Sequence, residues 1–232
     1  MLLDYCENGL LTGQLSLHGG AWMKRMAARP RIISIMPAFS NERRAVEDFI
    51  IGIYKNSYNA TIGVHYPVLM SIRDEHGTIL AALGFRYADR TPLFLEQYLS
   101  QPVEKVLATG RGDIVEIGNL ASAGGGASLF LFAALSAYLH HRDMKYAVIT
   151  GTGFIEKRLR SLGLRPRRLA AADPARLLEK NENWGTYYDT QPHVLAGSVA
   201  HGYARLQDAM GAEYSGRTGR LFSRLHYKDE TP

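Results

Sequence analysis

The sequence predicts a mixed α/β domain whose sheet starts antiparallel and turns parallel around one central strand–loop–helix unit. Three stretches carry that expectation. Residues 113–142 begin with a β-branched run (Ile114, Val115, Ile117), pass through Gly124, Gly125 and Gly126, and continue as a proline-free stretch rich in Ala, Leu and Phe. Ahead of it, YPVLMSIRD and TILAALGFRYA flank Asp74-Glu75-His76-Gly77, a hairpin pattern. Behind it, YAVIT is a strand of parallel character, followed by further helix and strand signals.

Taken in order, residues 1–36 carry the weakest pattern and are expected to form an N-terminal extension with one strand at 32–36, ended by Pro37. Ser40 or Asn41 then caps a helix to about residue 58, with Val46, Phe49, Ile50, Ile53 and Tyr54 at helical spacing. After the hairpin, PLFLEQYLSQPVEKVLA predicts helix, a break at Pro102 and helix again. The glycine knot opens a helix over 127–140; a short helix over 154–162 is closed by Gly163, and 165–171 is a basic strand. Asp173-Pro174 predicts another helix start, WGTYYDTQPHVLAGSV a strand broken near Pro192. Residues 37–200 thus form the expected domain, and 201–232 a helical C-terminal tail.

Composition narrows the function classes. The 232 residues are 46 % apolar and 21 % charged, an ordinary globular balance with enough chain for one core. A net charge of +5 favours acidic or phosphorylated partners. Cys6 is the only cysteine, so no internal disulfide or thiolate metal site can form, which fits a reducing compartment and a cytoplasmic protein. The longest near-apolar run, 127–139, makes a helix of roughly 20 Å, too short for a bilayer, and no signal peptide is read at the start. No Cys/His set has metal-ligand spacing, no Gly-x-Ser-x-Gly elbow is present, and no nucleic-acid-binding motif is recognised.

The candidate site lies in the central unit. Glu116 shares a face with Ile114 and Gly118, and a carboxylate in so apolar a strand needs a cation, a donor or a cleft. The competing reading is a structural ion pair with a core arginine such as Arg86. Asn119 sits at the strand's end, where α/β sheets bind ligands, or else holds the turn by bonding backbone. Gly124, Gly125, Gly126, Ala127 and Ser128 offer loop and first-turn amides to an anion; close packing alone is the bland alternative. Glu96, Tyr98, Tyr187 and Tyr188 are candidates for an acceptor pocket, or half-buried core. Lys157, Arg158, Arg160, Arg165, Arg167 and Arg168 fall within twelve acid-free residues and suit a CoA phosphate or an acidic carrier protein, or simply a solvated face.

The order of elements is similar to that of the acyltransferases related to the general control N-acetyltransferases (GNAT) and of the acyl-homoserine-lactone synthases. More closely, VEIGNLASAGGGA, GFRYA followed by LFLEQYLSQPVE, the LGL turn and WGTYYDTQPHVLAG resemble the thermostable hemolysin family of bacteria, over residues 41–197. The resemblance implies a GNAT-like N-acyltransferase fold and transfer of an acyl group from acyl-CoA or an acyl-carrier-protein thioester to a small amine. In the lactone synthases a glutamate on the corresponding strand helps hold the amino substrate; Glu116 matches it and is expected to orient or deprotonate the amine, though the serine-arginine that follows there is absent. The GNAT loop, Gln/Arg-x-x-Gly-x-Gly/Ala, is matched by Ala121-Ser122-Ala123-Gly124-Gly125-Gly126, with alanine at the polar position. Asn119, Leu120 and Ala121 are then expected to polarise the thioester carbonyl, and the loop with Arg158 to hold donor phosphate. A membrane-active haemolysin and a non-catalytic acyl-binding module are the alternatives.

Overall fold

The computed structural model describes residues 1–20, 23, 25–89, 91–178 and 182–216. Its centre is the antiparallel run β3 (Ile32–Pro37), β4 (Val68–Arg73), β5 (Ile79–Tyr87) and β6 (Ile114–Ser122), after which β7 (Tyr146–Gly151) lies parallel to β6. Strand β9 (His193–Ser198) slips between β7 and β8 (Arg167–Ala171), antiparallel to both. The helices are α1 (Arg43–Tyr58), α2 (Val103–Leu107), α3 (Ala127–His140), α4 (Gly153–Ser161) and α5 (Val199–Met210).

Two strands stand where only a weak pattern was read. Strands β1 (Leu2–Glu7) and β2 (Leu10–Ser16) make a hairpin through Asn8-Gly9, both at positive φ, as such a turn requires. Alternate residues Leu3, Tyr5 and Leu15 are buried, so this hairpin contributes core. Strand β1 pairs in parallel with β3, and β2 with β10 (Glu213–Gly216), giving the order β10-β2-β1-β3-β4-β5-β6-β7-β9-β8.

Four expected elements come out shorter. Helix α1 starts at Arg43 with no side-chain cap bond. Residues 94–98 are a 3-10 turn, and Asp173 caps only a second one at 174–176, its carboxylate accepting from the Ala175 N–H at 2.9 Å. In the tryptophan-led stretch only β9 is strand, because Tyr188–Thr190 is a 3-10 turn and Gln191 leaves it at φ 51°. The expected tail, residues 201–232, holds most of α5 and then β10 (Glu213–Gly216), and its residues 217–232 lie outside the described residues.

The sheet has a core on each face. Ile35, Met70, Leu83, Val115 and Ile117 pack under α3 and α5, while their neighbours Met36, Leu69 and Ala82 pack under α1. Period-two alternation therefore sends Glu116 to the α1 face and Val115 and Ile117 to the α3 face.

Candidate active site

The site arises where β6 and β7 part. Their pairing runs from Ile114–Tyr146 to Ile117–Ile149 and stops there, although β6 continues to Ser122. On its other edge β6 carries a bulge: Ala82 pairs with Ala121 but Gly84 with Gly118, so three steps of β6 oppose two of β5. Asn119, at φ 48°, takes up the extra residue. Beyond Ile117, backbone groups on the β7 side of β6 face a gap instead of a partner strand. Across that gap Thr150 presents a buried hydroxyl with no hydrogen-bond partner among the described residues.

Glycines decide what lies against the α1 face of this gap. Gly84 and Gly118 are cross-strand partners, and the Tyr66 ring lies over both. A Cβ on Gly84 would sit 2.5 Å from Tyr66 Cβ, and one on Gly118 2.0 Å from Tyr66 Oη, so no other residue fits without moving the ring. Arg86 stacks on Tyr66, its guanidinium carbon 4.6 Å from the ring centroid. Arg86 is also the cross-strand partner of Glu116, with Nε 3.3 Å from Oε2, close enough for an ion pair but not aimed as a hydrogen bond.

Glu116 is 1 % exposed. Its Oε1 accepts from the Leu95 N–H at 2.8 Å and its Oε2 from the Phe94 N–H at 3.0 Å. Burial pushes its pKa up to about 7 against the opposing pull of the Leu95 amide, Arg86 and the Phe94 amide. The cleft is lined not by Glu116 but by its neighbours Arg86 and Phe94.

That cleft, of about 60 Å³ and open to solvent, includes Asn119, Thr150, Tyr187 and Tyr188 in its wall. Tyr187 donates to the Thr150 carbonyl at 3.2 Å, and the Tyr188 and Tyr98 hydroxyls share a bond of 2.6 Å. At the rim, Glu182 accepts from the Gly63 N–H at 2.7 Å and faces His65 Nε2 at 3.0 Å. On the α3 face an apolar cavity of about 110 Å³ lies between α3, α4, α5 and strands β7 and β9. Ile117 borders both spaces.

Other candidate residues stand elsewhere. Glu96 is not at the cleft. It accepts from the Leu93 and Val103 N–H groups and from Arg111, and although burial opposes its charge, Arg111 and those amides hold its pKa down to about 2. It clamps the 93–103 segment because its turn faces Arg111, not the gap. Gly124, Gly125 and Gly126 all have positive φ, as a tight strand-to-helix turn needs. Some of the loop's groups are already engaged: Ala127 N–H donates to Gly124 O, Ala28 N–H donates to Gly125 O, and Met26 packs on Gly126. Ala121 is buried and paired with Ala82, Leu120 packs into the α3-face core, Ser128 is partly exposed on the first turn of α3, and Arg158 is partly exposed on α4. Of the basic run, Arg160 and Arg168 are tied to buried Glu156, one residue before the acid-free window. Sequence reasoning did not assign the apolar cavity, Thr150, Tyr66 or Trp184 to the site, because those residues were read only as parts of strands or of the family-like stretch.

Among the described residues no His, Cys, Asp or Glu group could hold a metal ion, and no helix is long and apolar enough to cross a membrane. The fold is that of solved acyl-homoserine lactone synthases and related enzymes. The AHL synthase LasI is 14 % identical at TM-score 0.51, over 72 % of this chain and 89 % of that one. MesI, a CoA-dependent acyl-homoserine lactone synthase, is 15 % identical at TM-score 0.51, over 77 % and 95 %. FeeM, an N-acyl amino acid synthase from uncultured soil microbes, is 15 % identical at TM-score 0.55, over 77 % and 96 %. No curated protein matches by sequence. Residues 37–203 match the thermostable hemolysin family, and the chain belongs to it.

Proposed function

We propose that this protein transfers an acyl group from an acyl thioester, on CoA or an acyl carrier protein, to the nitrogen of a small amine. The observation that carries the reading is the parting of β6 and β7, with an open polar-and-aromatic cleft on one face of the sheet and an apolar cavity on the other, both bordered by Ile117. The named activities of MesI and FeeM agree with it.

In this reading the acyl chain lies in the apolar cavity and the thioester carbonyl enters the gap. The Asn119 side chain and the gap-facing amides of residues 118–121 polarise the carbonyl oxygen. The acceptor's neutral nitrogen attacks from the cleft. The C–N bond forms, the C–S bond breaks, and the proton lost from nitrogen ends on the departing thiolate. Glu116 acts as a positioning residue, holding Arg86 and the Phe94 segment, both of which line the cleft. The loop at residues 124–128 and Arg158 are assigned to the donor's phosphate or to an acidic carrier. The contact of residues 26–28 with that loop must adjust when a donor binds.

The test supplies the purified full chain with octanoyl and palmitoyl thioesters of CoA and of carrier protein, plus a mixed amine pool. Amine-dependent release of thiol, with a product weighing the amine plus the acyl group less one hydrogen, is expected. Absence of amine-dependent release from every thioester would refute the reading.

A further inference from the structure

The cleft's composition goes further than its existence. Tyr54, Tyr66, Phe94, Trp184, Tyr187 and Tyr188 supply six of its fourteen lining residues. Five of them, all but Tyr66, form a continuous wall that starts at the gap, where Tyr187 is pinned to the Thr150 carbonyl. The Trp184 ring centre lies 5.4 Å from that of Tyr187, and those of Tyr188 and Phe94 lie 5.9 and 6.0 Å from Trp184. Phe94, Trp184 and Tyr188 remain partly exposed, so ring surface is left for a guest. Spacings of this size are those at which further rings stack or meet edge to face.

The polar groups give the guest a direction. An amine attacks as the free base, whereas aromatic faces stabilise a cation. A ring cage closed around the nitrogen would therefore hold the unreactive ammonium. The nitrogen belongs instead at the gap, beside Asn119 and the unpartnered Thr150 hydroxyl, with the acceptor's body along the rings.

Charge limits what else the body can carry. Among the described residues, the charged side chains of the wall and its backing are Arg86, Glu116, Glu182 and His65. Arg86 already faces the Glu116 carboxyl at 3.3 Å, and any charge on His65 is matched by Glu182 at 3.0 Å. With His65 neutral the sum is −1 when Glu116 is ionised and zero when it is not. With Glu116 ionised, no cation among the described residues of the cleft is left uncompensated for a carboxylate, and Glu182 repels one.

We propose that the acceptor is an aralkylamine: a primary amine on a short chain ending in a planar aromatic ring, with no carboxylate. This rests on the acyl-transfer reading for its turnover, but not for its binding.

The binding test uses calorimetry on the full chain without any donor, with phenethylamine, phenylalanine and hexylamine as probes. Phenethylamine is expected to bind about tenfold or more tighter than either of the others. Trp184→Ala should remove about tenfold of that affinity and change hexylamine less than about twofold; Trp184→Phe should restore most of it. Thermal unfolding of Trp184→Ala checks that it folds, and Tyr188→Leu gives a second variant with the same expected selectivity loss. Equal or tighter binding of phenylalanine or hexylamine, indifference of phenethylamine to both variants, or no binding by any probe overturns the proposal. The turnover arm repeats the panel with octanoyl-CoA. Ring-selective binding without thiol release would sink acyl transfer and keep the aromatic site, while transfer to hexylamine as fast as to phenethylamine would do the reverse.

Discussion

Glu116 and Glu156 are both buried carboxylates, 1 % and 4 % exposed, yet their surroundings give them opposite properties. Glu156, on α4, meets Arg160 Nη2 and Arg168 Nε, each at 2.8 Å, and both arginine side chains are about half in water, 52 % and 55 % exposed. Burial works against its charge, but the hydrogen bonds from Arg160 and Arg168 keep its pKa below the ordinary carboxylate range. Glu116 has one guanidinium, 18 % exposed and imperfectly aimed, plus two backbone amides, and burial prevails. Two solvated arginines make a fixed anchor. One enclosed arginine and two amides do not offset burial, and the Glu116 pKa is raised to about 7.

The comparison can be broken first by Glu116→Gln. An amide cannot accept from the Leu95 and Phe94 N–H groups together, so Phe94 and Arg86 shift. Amine-dependent turnover should fall about 100-fold, the scale of a misplacement near 1 Å. Parental turnover measured below the variant's melting point would reduce Glu116 to scaffold.

The second test is stability against pH. Because the folded-state pKa of Glu116 is raised from the ordinary 4.5 to about 7, its contribution is full below pH 4.5 and is lost as pH rises to 7, by about 1.4 kcal/mol per pH unit at most. Urea unfolding of parent and Glu116→Gln across that window should show the slope in the parent and its loss in the variant. The same substitution should cost on the order of 2 kcal/mol at pH 5, from the amide left without an acceptor, and less at pH 8. Glu156 has the opposite sign: its lowered pKa contributes stability that disappears as the medium turns acid. Equal slopes in parent and Glu116→Gln would contradict the assignment.

The smallest effect is expected from Glu156→Gln. Its arginines can rehydrate, so unfolding at pH 7 should report a loss of about 1 kcal/mol, with turnover within about twofold of the parent. A larger fall in turnover would place α4 in the machinery and revive the reading of Lys157 to Arg168 as a donor contact.

Much of this architecture was legible because the central unit states its own pattern. The Ile114–Val115–Ile117 alternation placed Glu116 opposite the α3 face, and Arg86 was named as its structural partner, a pair now seen in register. The glycine knot marked the turn into α3, where three successive residues take positive φ. The β1–β2 hairpin was missed although Asn8-Gly9 announces it, because the alternation beside it is short and partly polar. Glu96 was misplaced because a turn acid facing an arginine and one facing a cleft look alike in one dimension. The ring wall was legible only in part: Tyr187 and Tyr188 stood among the acceptor-pocket candidates, but Phe94, Tyr54 and Trp184 come from three distant segments that only the fold assembles.

Acyl transfer at this site requires the thioester to occupy the gap between β6 and β7. Its most direct test is a crystal structure of the full chain with a non-transferable analogue of octanoyl-CoA whose thioester sulphur is replaced by methylene. The account predicts the carbonyl beside Asn119 and Thr150, the acyl chain past Ile117 in the apolar cavity, and the phosphates at the loop of residues 124–128. An analogue bound wholly on the α1 face, or away from the gap while β6 and β7 remain parted and empty, would contradict it.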